Sequence, residues 1–216
     1  MEKNNIHESL RELNNYVFAI GKKVENAIRN SIKALKLGDM DLARKIIKED
    51  DHIDEMELIL EERSTRLITM QQLVDKDLRM VIVISKILTD IERIGDHAVN
   101  IAEKVLDING EELRIPIDNI NKMADLAIKR FHESLDAFVN MDVILAKKVA
   151  KEDEELDILD QEILREMISL ISGEQEFDKQ ATALMFIGRF LERIGDHSTN
   201  ICERAIYMAG GSREKY

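Results

Sequence analysis

A chain of 216 residues with 43 Asp plus Glu against 31 Lys plus Arg carries a net charge of -12, which excludes a basic nucleic-acid-binding surface and points to cations or basic segments as company. Apolar residues make up 44% but aromatics only 4%, with no Trp and one Pro, a mixture suited to long helices packed through Leu, Ile, Val, Met and Ala. One Cys precludes an intrachain disulfide, the opening MEKNNIHESL lacks the apolar run of a signal peptide, and no stretch approaches the ~18 apolar residues of a membrane span, so a cytoplasmic chain without membrane insertion is expected.

From Ile6, the apolar residues Leu10, Leu13, Val17, Ile20, Val24, Ile28 and Leu35 step mostly by three or four, predicting an amphipathic helix to about Leu37. Gly38 and Asp39 supply a left-handed C-terminal residue and an N-cap, so a second helix is expected from Met40 to Met70. A third follows the polar stretch Gln71 to Asp77 and reaches about Asp107. Its start, Met80 to Ile84, is apolar all round, and with its counterpart Leu184 to Ile187 suits either the junction of two halves or a dimer contact. Asn109 and Gly110 break the pattern, and Pro116 is expected in the first turn of a fourth helix that carries Ile117, Ile120, Ala124, Ala127, Phe131, Leu135 and Phe138. A fifth helix is expected from Asp142 to Ser172 and a sixth from Ala181 to Met208, followed by a frayed tail, GGSREKY. No stretch alternates as a strand does. The expected fold is therefore all-α, two tandem antiparallel three-helix bundles over residues 1–108 and 116–210, joined by a linker at 109–115.

The halves are copies of one another. ERIGDH occurs at Glu92 to His97 and again at Glu192 to His197, and Asn100, Ile101 and Glu103 recur as Asn200, Ile201 and Glu203. Upstream, Lys48, Glu49, Asp50 and Asp54 recur as Lys151, Glu152, Asp153 and Asp157. On a helix, Glu92, Asp96, Asn100 and Glu103 fall at about 0, 40, 80 and 20°, almost opposite the stripe of Ile91, Ile94, Ala98, Ile101 and Val105. Their oxygens thus share an outward face. The preceding helix offers a matching one through Asp50, Asp54, Glu57 and Glu61, repeated as Asp153, Asp157 and Asp160. If the second and third helices reverse near Leu73, Asp54 and Glu92 each lie about nineteen residues from the turn and stand level; a reversal near Gln175 brings Asp157 and Glu192 level within about one residue.

Carboxylates gathered in this way repel one another, and a cation relieves the repulsion. All-oxygen donors suit Mg²⁺, Ca²⁺, Mn²⁺ or iron, and a carboxylate group spread over two helices can bridge several ions, whereas structural zinc more typically recruits Cys or His. The metal-site residues expected are Asp50, Asp54, Glu92, Asp96 and Asn100 in the first half and Asp153, Asp157, Glu192, Asp196 and Asn200 in the second, with Glu103 and Glu203 as further donors. A solvated acidic face explains six identical residues in otherwise diverged halves poorly. Arg93 and Arg193 are expected to pair with carboxylates of a neighbouring helix, His97 and His197 to pack through hydrogen bonds, and Cys202 to be a small buried residue. Gly95 and Gly195, each unfavourable by about 1 kcal/mol within a helix, imply a close approach by a neighbour or a bound group.

In these residues the chain resembles the PhoU family of bacterial and archaeal phosphate-transport accessory proteins, over two repeats at about 7–108 and 116–208. The resemblance implies a non-enzymatic homodimer of three-helix bundles whose E(D)-x-x-x-D motifs bind divalent or iron ions, including multinuclear clusters. Matching positions are Asp50 with Asp54, Glu92 with Asp96, Asp153 with Asp157, and Glu192 with Asp196. It further implies a negative regulator that couples the ATPase subunit of a phosphate ABC transporter to a sensor histidine kinase. Two other classes stand beside this reading. One is a metal-free structural helical adaptor; the other is a di-iron carboxylate oxidase, which needs two inward E-x-x-H motifs where this chain has one, Glu49 to His52, with Glu152 to Glu155 as its counterpart.

Overall fold

The computed structural model describes residues 2–71, 73, 75–152, 154–171, 173 and 175–210. Eight helices are found among them and no strand: α1 (Glu2–Leu37), α2 (Met40–Glu49), α3 (Asp51–Gln71), α4 (Asp75–Ile108), α5 (Asp118–Val139), α6 (Val143–Lys151), α7 (Glu154–Leu170) and α8 (Gln175–Gly210). The all-α duplicated architecture expected from the sequence is present. Helices α1 to α4 build one half and α5 to α8 the other.

The turn after α1 forms as its residues dictate. Gly38 takes φ 60°, and the Asp39 amide returns to the Ala34 carbonyl at 3.0 Å while the Asp39 side chain accepts from the Leu42 amide at 2.9 Å. The second half repeats the turn with Met141 at φ 52° in place of glycine and Asp142 capping α6 through the Ile144 and Leu145 amides, both at 3.0 Å. Six helices become eight because each expected second helix of a half is broken. Both breaks fall at the repeated Lys-Glu-Asp triplet: the Asp50 carbonyl already accepts from Ile53 at 2.7 Å and Asp54 at 3.1 Å, and α6 ends where the Glu152 amide turns back to Val149 at 3.2 Å. Pro116 lies ahead of α5, whose N-cap is Ile117, rather than inside its first turn. Helix α8 starts earlier than expected, at Gln175, and ends at Gly210; Ser172 and the tail beyond Gly210 lie outside the described residues.

One hydrophobic core runs through both halves. Its spine is α4 against α8, the broadest helix contact in the chain, with Val81, Ile84, Ile87, Leu184, Ile187 and Ile194 all 0% exposed. The buried faces of these apolar stretches therefore serve the junction between halves, while Ile82 and Phe186 remain 44% and 49% exposed outside it. Helices α1 and α5 also meet, through a network in which buried Glu25 accepts from Arg29 at 2.8 Å and Lys22 at 3.0 Å and lies 3.1 Å from His132 Nδ1. Burial alone would raise the Glu25 pKa, but the hydrogen bonds from Arg29, Lys22 and His132 outweigh it and hold the carboxyl at about 2.

Candidate metal centres

Helices α3 and α4 form an antiparallel hairpin, and its geometry brings the first acidic set together. Asp50 feels Asp54, Asp96 and Glu92, while Glu57 feels Glu92, Glu61 and Asp54. Burial first and these like charges second push Asp50 up to about 6 and Glu57 to about 7, and burial with Asp96 raises Glu92 as well. The expected register of Asp54 beside Glu92 is thus present. Asp50, Glu57, Glu92 and Asp96 are half-buried and Asp54 is exposed.

The second set is built alike on α7 and α8. Glu192 is pushed to about 7 by burial and Asp196, then by Asp160 and Asp157, with Arg189 opposing. Asp157 and Asp196 are exposed, as expected, but Glu192 is only 8% exposed and its Oε2 has no hydrogen-bond partner. Burial of Glu192 departs from the outward face read off one helix, because α7 covers that face. Asp153, the counterpart of Asp50, lies outside the described residues.

Several neighbours take roles that differ from expectation. Arg93 makes its ion pairs within its own helix, with Glu92 at 3.4 Å and Asp96 at 3.1 Å, while its charge also acts on Glu57 of the neighbouring α3. The reason is reach: i,i+3 spacing on α4 puts Asp96 beside the guanidinium. Asn200 donates to Asp90 on α4 at 3.4 Å, across the junction of the halves rather than toward α7; Asn100 is half-buried and Glu103 exposed. His97 is buried, 7% exposed and stacked on Phe190 at 5.8 Å, but its Nδ1 lacks the expected hydrogen bond, whereas His197 lies 3.0 Å from Asp90. The only cysteine, Cys202, is 0% exposed, and burial pushes its thiol up to about 12.

Two observations test whether these faces suit a metal. A Cβ built on Gly95 meets Val24 at 3.6 Å, Asp50 Oδ1 at 3.7 Å and Ile53 at 3.9 Å, all ordinary contacts, so the close approach expected at this glycine is absent and its surroundings are mostly apolar. The buried Oε2 of Glu192 is the second, an acceptor without a donor. Of the two, the unpartnered oxygen of Glu192 fits a hard cation held by oxygen. Among the described residues, no three of these groups already stand close enough to hold an ion, so rotation of the side chains would have to complete a site. Sequence reasoning saw Glu57 and Asp160 on the acidic faces but left them out of the ligand set; their repeated spacing after Asp54 and Asp157 was the available signal. It gave no role to Arg189, which lies 2.8 Å from Glu192 and 3.4 Å from Asp160.

The fold and these faces define a class: a duplicated helical-bundle protein with one acidic hairpin per half. The PhoU domain matches residues 18–105 and 120–205, and the chain belongs to the PhoU family. It is 36% identical over 214 residues, 99% of this chain and 98% of the relative, to the phosphate-specific transport system accessory protein PhoU homolog of Clostridium acetobutylicum. The phosphate-specific transport system accessory protein PhoU of Escherichia coli is 31% identical over 202 residues, 94% of this chain and 84% of that protein. The crystal structure of the phosphate transport system regulatory protein PhoU from Streptococcus pneumoniae matches with a TM-score of 0.90 at 29% identity, covering 98% of this chain and 100% of that one. No helix among the described residues is long and apolar enough to cross a membrane.

Proposed function

We propose that the chain is a metal-binding regulatory adaptor of phosphate uptake that restrains the phosphate-starvation response when phosphate is plentiful. It acts as a homodimer in the cytoplasm and couples the ATPase subunit of a phosphate ABC transporter to a sensor histidine kinase. Kinship along nearly its whole length with proteins named as phosphate-transport accessory proteins supports the regulatory part. The observation that carries the metal part is the convergence of Asp50 at the α2–α3 break with Asp54 and Glu57 of α3 and Glu92 and Asp96 of α4, with a similar set on α7 and α8. A hard metal ion would supply open coordination positions for a phosphoryl or carboxylate oxygen of a partner. The chain's own carboxylates hold and orient that ion, and α4 and α8 fix the spacing between the two faces.

The test uses the host cell. Deleting the chain should raise a phosphate-starvation reporter at high phosphate; the unaltered chain should restore repression, and the quadruple variant E92A/D96A/E192A/D196A should not. An unchanged reporter on deletion would contradict the regulatory role, and full rescue by the quadruple variant would favour the metal-free adaptor.

A further inference from the structure

The two hairpins share ERIGDH but not the charges around it. In the second half, Arg189 stands one turn before Glu192, and its Nη1 donates to Glu192 Oε1 at 2.8 Å and to Asp160 Oδ2 at 3.4 Å. It bridges α7 and α8 at the place where a cation would bridge them. The equivalent residue of the first half is Thr89, a neutral side chain whose hydroxyl donates to the Ser85 carbonyl at 3.3 Å. Arg93, the first half's own guanidinium, also holds two carboxylates and acts on Glu57 of α3, but its contacts with Glu92 at 3.4 Å and Asp96 at 3.1 Å are longer than the 2.8 Å bond from Arg189 to Glu192, and those carboxylate side chains are 19% and 36% exposed against 10% for Glu192 and 15% for Asp160.

We propose that Arg189 is a built-in counter-cation that competes with metal for Asp160 and Glu192, so that the α3–α4 face takes up a divalent cation at lower concentration than the α7–α8 face. This rests on the metal-binding reading above and adds to it an order of filling. A charge-assisted bond between a guanidinium and a carboxylate must be broken before the same oxygen can ligate an ion, and the displaced charge then repels that ion at short range. One oxygen escapes this competition. Glu192 Oε2 is buried and unpartnered, so the second face is weakened rather than abolished.

The test is a titration of the metal-free full-length chain with Mn²⁺ alone, reading free Mn²⁺ by its electron paramagnetic resonance signal. The native chain should show two classes of binding that differ by about tenfold or more in affinity. E92Q/D96N should remove the tight class, and R189T should draw the weak class toward the tight one. R189K, which keeps the charge but loses the fork, should lie between them, and helical circular dichroism should confirm that each variant folds. Superimposable isotherms for the native chain, R189T and R189K, or loss of the tight class in E192Q/D196N instead, would overturn the order of filling while leaving metal binding in place. No bound Mn²⁺ in any form would overturn both readings.

Discussion

Asp90 on α4 and His197 on α8 lie 3.0 Å apart, and in the mirrored slot of the same junction Phe190 stacks on His97 at 5.8 Å. The repeat thus places the same histidine on both sides of the seam and gives it an acid on one side and a ring on the other. The Asp90 carboxylate also meets Arg204, and its residue is only 4% exposed. Replacing Asp90 with Ala removes the carboxylate that Arg204, His197 and Asn200 share. The Arg204 and His197 side chains keep 29% and 24% exposure, which sets the expected loss at about 2 kcal/mol, below the ~3–5 kcal/mol of a fully buried pair. Urea unfolding of D90A against the native chain measures it, and D90N, which keeps the shape, should lose less.

Glycines at two helix-interior positions should respond oppositely to alanine. A Cβ at Gly95 meets only ordinary contacts at 3.6–3.9 Å, so G95A should stabilise the metal-free chain by up to about 1 kcal/mol. It also sets a methyl 3.7 Å from Asp50 Oδ1, so the same variant should bind metal more weakly. A Cβ at Gly21 would come within 2.5 Å of Leu135 Cδ1, and G21A should destabilise by about 1–3 kcal/mol. Thermal melts and metal titrations of the two variants check both signs.

The acidic faces also predict a pH dependence. Asp50, Glu57 and Glu192 keep their protons in the folded chain up to about 6, 7 and 7, against ordinary values of 3.8, 4.5 and 4.5. Between those limits the folded state binds more protons than the unfolded one, so these groups lower stability as pH rises from about 4 to about 7. His97, held near 4 by burial and by His197, works in the opposite direction between about 4 and 6.5. The contribution of the acids is therefore read as a difference. In the presence of a chelator, the native chain should melt progressively below E57Q/E192Q as pH rises from 4.5 to 8, and parallel curves would contradict the assignment. Adding Mn²⁺ should close the gap for the native chain.

Much of this was legible in the sequence because duplication marks what one copy cannot. The duplication, the cap at Gly38 and Asp39, and the register of Asp54 beside Glu92 all follow from spacing and turn chemistry. The breaks at Asp50 and Glu152 were hidden because no Gly or Pro announces them. Glu192 read as outward because the periodicity of α8 alone cannot register that α7 covers it. Arg189 and the Asp90–His197 pair went unseen for the same reason: both are contacts between helices at positions where the halves differ, and a search for repeated residues passes over them.

The most direct measurement is anomalous X-ray scattering from crystals grown with Mn²⁺ or ferrous iron. The account predicts metal peaks between α3 and α4 beside Asp54, Glu92 and Asp96, and between α7 and α8 beside Asp157, Glu192 and Asp196, with the first the stronger at limiting metal. Peaks confined to other surfaces, or none at either hairpin, would contradict it.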